Sequence, residues 1–295
     1  MRTGPFRGIY FVARLDLASA LRSRRAIAAL LLYVLAVLGA TYLFCLLIQT
    51  VQETVGDATT ISDALARDRR FRRLVEGLTG DKEIAERLIT MPPLALFFGW
   101  LSVNFLPFLT VVNSSDAIAS QVRTGESRFI LFRSGRLPFA LGTFVAHGLL
   151  MTIGLALGAV GSLVMGAMML GVGTSLAATG PMFSIGAATW FYSFAYLGLA
   201  VGMSQLVDSA SAARGLAFGA FFCLAIGAGL LRVQYVAEMF PTPLLPVVKW
   251  FFPQAHSLDL WRLSFLGRLP AMASLFVLGV LYFLPGWMYF RRRDL

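Results

Sequence analysis

The chain is short of charge where a soluble protein would carry it. Between Leu137 and Val207 there is no Asp, Glu, Lys or Arg, and apolar runs of about 20 residues are what a hydrocarbon core roughly 30 Å thick asks of a helix. Cysteine is scarce too. Cys45 and Cys223 both fall in apolar runs, where they read as small packed residues and exclude a disulfide framework or a metal pair. No Gly-x-x-x-x-Gly-Lys-Ser/Thr run occurs, so the chain has no phosphate-binding loop of that kind. There is also no His-Glu-x-x-His run and no pair of carboxylates inside an apolar stretch, which removes the usual metalloprotease and acid/base arrangements. No catalytic residue, resident cofactor or metal site is expected.

What is present is apolar surface and arginine. Of the 295 residues 58% are hydrophobic, the mean hydropathy is +0.75, and soluble domains sit near about 45–50% apolar. The net charge of +10 would suggest nucleic acid in a soluble chain. In a membrane protein it is the ordinary consequence of basic cytoplasmic segments, so no nucleic-acid partner is expected.

The pattern along the chain predicts an all-α integral membrane protein, one permease-like domain over 1–295. Six spans are expected at about 26–48, 94–113, 137–170, 182–206, 215–231 and 269–290. The first apolar run is too long for the h-region of a signal peptide and reads as a retained span. Ahead of it, Phe6, Ile9, Tyr10, Ala13, Leu17 and Leu21 share one helical face, with Arg7, Arg14, Arg22 and Arg25 opposite. That predicts an amphipathic helix in the membrane interface. A polar loop at about 49–93 carries seven basic and eight acidic residues, with helical spacing at Phe71, Leu74, Val75 and Leu78. Gly171 to Pro181 reads as a glycine-rich turn. The segment at about 232–268 holds Pro241, Pro243, Pro246 and Pro253 and predicts short broken helices at the outer side. Lys and Arg are denser on the side of the termini, which places both in the cytoplasm.

Polar residues inside the spans are few. His147 is the one ionisable residue of the third span and reads first as a packed, hydrogen-bonded side chain. Asn104, Asn113 and Gln205 suit cross-helix hydrogen bonds, with lining of a path as the alternative. Gly154-x-x-x-Gly158, Gly198-x-x-x-Gly202 and Gly215-x-x-x-Gly219 permit close helix approach. Gly202-Met203-Ser204-Gln205 has a serine after a glycine but lacks the second glycine and helical His of a nucleophile turn.

The most informative stretch runs from Ser114 to Leu149: Asp116, then Gln121-Val122-Arg123-Thr124-Gly125-Glu126, then Arg133, Arg136 and Leu141-Gly142-Thr143. It predicts the end of a span, a short charged helix, a glycine break and a second short helix. This region resembles the signature of ABC-2-type permeases, and within them is most similar to NosY-like permeases. Pro253, Asp259 and Arg262 before the last span and the tail Arg291 to Asp294 also resemble that pattern. Gln121 stands where the pattern has Glu, Thr124-Gly125-Glu126 where it has Arg-Gly-Thr, and Thr143 where it has Lys.

The resemblance implies a bacterial inner-membrane exporter built from two permease copies, a homodimer, each resting on a separate ATP-binding subunit that holds ATP and Mg. It implies contact with that subunit through Arg14, Asp16 and Arg22, through the loop from Asp116 to Arg136 with Arg123, Glu126, Arg128 and Arg133, and through Asp208 to Arg214. It implies a path along the second and fifth spans, with Asn104, Asn113 and His147 as candidate lining, for lipid-like, amphipathic or peptide-like cargo. The alternative from another class is a membrane scaffold that anchors partners and transports nothing.

Overall fold

The computed structural model describes residues 4–55, 73, 75–77, 80–231, 244–262 and 264–293. All regular structure among them is helical: α1 (Pro5–Arg22), α2 (Arg24–Val55), α3 (Lys82–Thr90), α4 (Pro93–Ser114), α5 (Ala117–Thr124), α6 (Glu126–Ser134), α7 (Arg136–Leu170), α8 (Val172–Leu206), α9 (Ala210–Leu230), α10 (Leu244–Trp250), two 3₁₀ turns (Pro253–His256 and Asp259–Trp261) and α11 (Phe265–Phe290). Helices α2, α4, α7, α8, α9 and α11 are long and apolar enough to cross a bilayer, so the chain is an all-α multi-pass membrane protein. Their outer surfaces carry Leu32, Leu35, Leu43, Val160, Val164 and Phe183 in the open. Such exposure would be costly in water and is neutral against lipid tails.

Helix α8 is the centre. Ala188, Ala195, Ala200 and Gly198 keep its surface thin, so neighbours come close and most of it is buried. A Cβ on Gly198 would overlap the carbonyl oxygen of Gly279 on α11, and one on Gly202 would overlap that of Tyr282. Spans four and six therefore touch backbone to backbone, the use expected of small residues in lipid. A Cβ on Gly158 would come within 3.1 Å of the Tyr33 ring, while Gly215 and Gly219 on α9 face open space. Two apolar cores result, one among α2, α4, α7 and α8 around Tyr33, Phe98 and Met182, the other among α8, α9 and α11 around Tyr196 and Leu275. A third, of Val12, Ile118, Phe139 and Phe290, sits at the end of the molecule that carries both termini.

Several boundaries differ from the sequence reading. The turn expected over Gly171 to Pro181 shrinks to Gly171 alone, at φ 93°. Helix α8 starts at Val172 and carries Pro181 inside it. Here Thr174 and Thr179 donate back to the carbonyls of Leu170 and Ser175 at 3.2 and 3.1 Å, so their hydroxyls are satisfied within the helix. Helix α9 begins five residues before the expected 215, α11 begins at Phe265 instead of 269 and accommodates Pro270 and Pro285. Of the helical pattern expected at Phe71 to Leu78, residues 73 and 75–77 are helical, and Phe71, Leu74 and Leu78 lie outside the described residues, as do Pro241 and Pro243.

Helix α1 differs more. Its buried face is Gly8, Val12, Ala13 and Asp16, packed on the start of α7 at Pro138 and Gly142. The apolar stripe is left open, with Phe6 85% and Tyr10 70% exposed. The helix therefore has a protein face and a separate apolar face. Cys45 is buried as expected, whereas Cys223 is exposed on α9, because that side of α9 packs on nothing among the described residues.

Candidate functional site

At the end carrying the termini, the short helix α5 hangs beneath the spans. Gly125, at φ 77°, terminates it and turns the chain into α6, a left-handed conformation that glycine adopts without a Cβ penalty. Asp116 occupies the position that usually caps such a helix, yet its carboxylate does not cap. The cap comes from another span. The Ser204 hydroxyl of α8, fully buried, accepts from the backbone N–H of Ile118 and of Ala119, both at 3.0 Å. Ser204, set aside above as a nucleophile, is thus a structural acceptor.

The Asp116 carboxylate faces the other way and gathers two arginines. Arg25 Nη1 at the base of α2 donates to Oδ2 at 2.6 Å, and Arg214 of α9 donates to the same oxygen from Nη2 at 2.5 Å and Nε at 3.1 Å. One charged residue beside α5 therefore ties the second span to the first and the fifth. Arg293, after the last span, pairs with Asp208 of the loop between α8 and α9.

Asp16 sits on the other side of α5. It is 7% exposed, and its two oxygens accept from the Gln121 amide at 3.1 Å and the Thr143 hydroxyl at 2.6 Å. Burial pushes its carboxyl above the ordinary Asp range, against the pull of those two hydrogen bonds and of the nearby His147. Gln121 and Thr143, two of the positions that depart from the permease pattern, therefore donate to one carboxylate. Asp16, Gln121, Glu126, Asn113, His147, Arg25 and Asp116 border a cavity of about 220 Å³. Asn113 and His147 also border a small cavity of about 30 Å³ further into the bundle, beside Tyr33 and Thr110. His147 Nδ1 lies 3.0 Å from the Thr143 carbonyl oxygen.

Of the residues singled out from the sequence, Asp16, Glu126, Asn113 and His147 come together here, and Asp116 and Arg214 meet beside them. Arg14, Arg22, Arg123, Arg128 and Arg133 are exposed along α1, α5 and α6. Asn104 is elsewhere. It donates to the Trp100 carbonyl of its own helix at 2.7 Å and lies nine residues, about 14 Å, from Asn113 along α4, so the three candidate path residues do not share one cavity. The cross-helix hydrogen bonds expected of Asn104, Asn113 and Gln205 are made instead by hydroxyls, Tyr33 with Ser102 and Thr41 with Ser162, each at 3.0 Å. Both amide atoms of Gln205 and the Asn113 carbonyl oxygen are buried without a partner among the described residues.

Asn104 borders a cavity of about 690 Å³ at the opposite end of the molecule. Phe44, Phe97 and Trp100 form its apolar wall, with Phe44 stacked on Phe97 at 4.6 Å between centroids. Tyr192, Gln254 and Ser257 supply polar groups, and no charged side chain among the described residues borders it. That mixture suits an amphipathic occupant of modest size. Trp261 and Ile84 close it from the broken segment and α3. Arg262 holds those two parts together, pairing with Asp81 at 3.1 Å, Glu83 at 3.3 Å and Asp259 at 2.9 Å. This cluster had been read only as a Pro…Asp…Arg segment.

Comparison with curated protein sequences finds no match. The model of the ABC-2 family transporter proteins matches residues 10–295, and with six apolar helices and a short charged helix slung beneath them the chain belongs to that family, as a multi-pass membrane component of a transporter.

Proposed function

We propose that this chain is the permease subunit of an ATP-driven exporter, acting as one of two identical copies in a bacterial inner membrane with both termini in the cytoplasm. ABC-2 permeases normally work with an ATPase subunit, and here α5 and α6 are the surface on which that subunit rests. The observation that carries the reading is the suspension of α5. Ser204 holds it from α8, and Asp116 holds it against α2 and α9. A push on α5 cannot be absorbed locally and must shift three spans. Closure of ATP-loaded subunits would then favour a second arrangement of the spans to the extent that α5 is bound differently in the two. Exposed Arg123, Arg128 and Arg133 supply charge for the contact. The aromatic cavity of about 690 Å³ supports a lipid-like or amphipathic cargo released toward the outer side.

The test is to purify the tagged chain in mild detergent, identify the chains that accompany it and assay ATP hydrolysis. A stoichiometric ATP-binding-cassette partner with vanadate-sensitive turnover is expected. Reversal of charge in Arg128→Glu with Arg133→Glu should then leave ATP hydrolysis running while transport falls at least tenfold. A chain that purifies without any nucleotide-binding partner would make it a scaffold.

A further inference from the structure

We propose that the cavity between α1 and α5 is a socket for one basic side chain, arginine or lysine, contributed by the ATP-binding subunit; this rests on the permease reading above. Among the described residues the cavity is bordered by three carboxylates, Asp16, Asp116 and Glu126, against one guanidinium, that of Arg25. Asp16 is almost fully buried, yet both of its hydrogen bonds come from neutral groups, Gln121 and Thr143. Among the described residues no arginine or lysine lies within ion-pair distance of Asp16 or of Glu126. The two arginines nearby are already engaged, since Arg25 and Arg214 both turn to Asp116. Two further acceptors, the carbonyl oxygens of Gln121 and Asn113, are buried with no donor.

A carboxylate withdrawn from water and met only by neutral donors is in a poor state electrostatically. A guanidinium or ammonium entering beside it would form charge-assisted bonds, stronger than those it has now. The volume, about 220 Å³, admits such a group together with the stem that carries it. A metal ion fits less well, because no three of the His, Cys, Asp and Glu side chains among the described residues gather at ligand distance. The occupant is assigned to the ATP-binding subunit because the acidic side of the cavity is formed by α1, α5 and the start of α6, the elements that subunit would cover.

The experiment uses the full chain with the ATP-binding subunit that accompanies it. Affinity of the two is measured at about 50 mM and 300 mM salt for the wild type, Asp16→Asn and Glu126→Gln, together with the melting temperature of each permease alone. The expected result is a Kd raised at least tenfold by Asp16→Asn and severalfold by Glu126→Gln at low salt, a shallower salt dependence for both, and no fall in melting temperature. Equal affinity in all three proteins overturns the socket and leaves the permease reading intact. A wild type that binds no such subunit overturns both. Loss of a bound aminolipid from Asp16→Asn at unchanged subunit affinity assigns the cavity to a headgroup and also overturns the proposal.

Discussion

Substituting Ser204 by Ala removes one hydroxyl from a fully buried site and leaves the helix that carries it intact. The hydroxyl accepts from two backbone N–H groups at the start of α5, on Ile118 and Ala119, whose side chains are also fully buried. Loss of a cap costs about 1 kcal/mol, and a buried donor left without an acceptor costs about 1–3 kcal/mol. With two donors stranded, a total of about 3 kcal/mol is reasonable, or roughly a hundredfold in the opening equilibrium of α5. Asp116 occupies the capping position, but turning inward to replace the hydroxyl would release Arg25 and Arg214. Hydrogen exchange read by mass spectrometry in detergent would resolve this. Peptides covering Ala117–Thr124 should exchange one to two orders of magnitude faster in Ser204→Ala, while those of α11 keep their protection. A change below threefold, with α5 still protected, would refute the argument that α8 holds this helix through Ser204.

Three further outcomes follow from the packing. Gly198→Leu should cost about 3 kcal/mol and lower the yield of monodisperse protein, because its side chain would displace the α11 backbone; Gly215→Leu, at an open glycine, should stay within about 0.5 kcal/mol, and equal losses would contradict the packing. The folded state holds the Asp16 proton more tightly than an unfolded chain with its ordinary value of 3.8, so stability falls as pH rises from that value through the raised one. Asp16→Asn should remove this fall, melting higher than wild type at pH 7 and alike below pH 4; a lower melting temperature at pH 7 would show that the ionised carboxylate is stabilising. Arg262→Ala breaks three ion pairs that are partly open to solvent, worth about 1 kcal/mol together, and should speed hydrogen exchange in Lys82–Thr90 at low salt, with no difference near 1 M salt where such pairs are screened; unchanged exchange at low salt would show that α3 is held by its apolar face alone.

The six spans were legible because lipid imposes length and apolarity, and both are read directly from composition. The order of short helix, glycine and short helix between Asp116 and Arg136 was legible for a local reason, the position of Gly125. What failed was whatever depended on a partner far along the chain. The stripe from Phe6 to Leu21 was legible, and Phe6 and Tyr10 are open as an interfacial helix requires; what was not legible is the second, thin face of Gly8 and Val12 that packs on α7. Proline and glycine near 171–181 looked like a break because local propensity is weaker than the requirement that spans continue to bond their own backbone. Gln121 and Thr143 appeared as two unrelated departures from the permease pattern. They are 22 residues apart in sequence and meet at Asp16, as two neutral donors to one carboxylate. Arg262 pairs with residues 179 and 181 positions away, and no spacing rule reaches that far.

The length of α7 has a mechanical meaning. Its 35 residues span about 52 Å, well beyond a hydrocarbon core of roughly 30 Å, and after Pro138 it contains no proline at which to bend. At one end it is clasped by α1, and at the other Met169 receives a hydrogen bond from Gln49 of α2 at 2.7 Å. A rod held in this way works as a lever. A tilt of only about 5° at its base would carry the far tip, and the end of α2 bonded to it, through about 5 Å without any span changing its own shape.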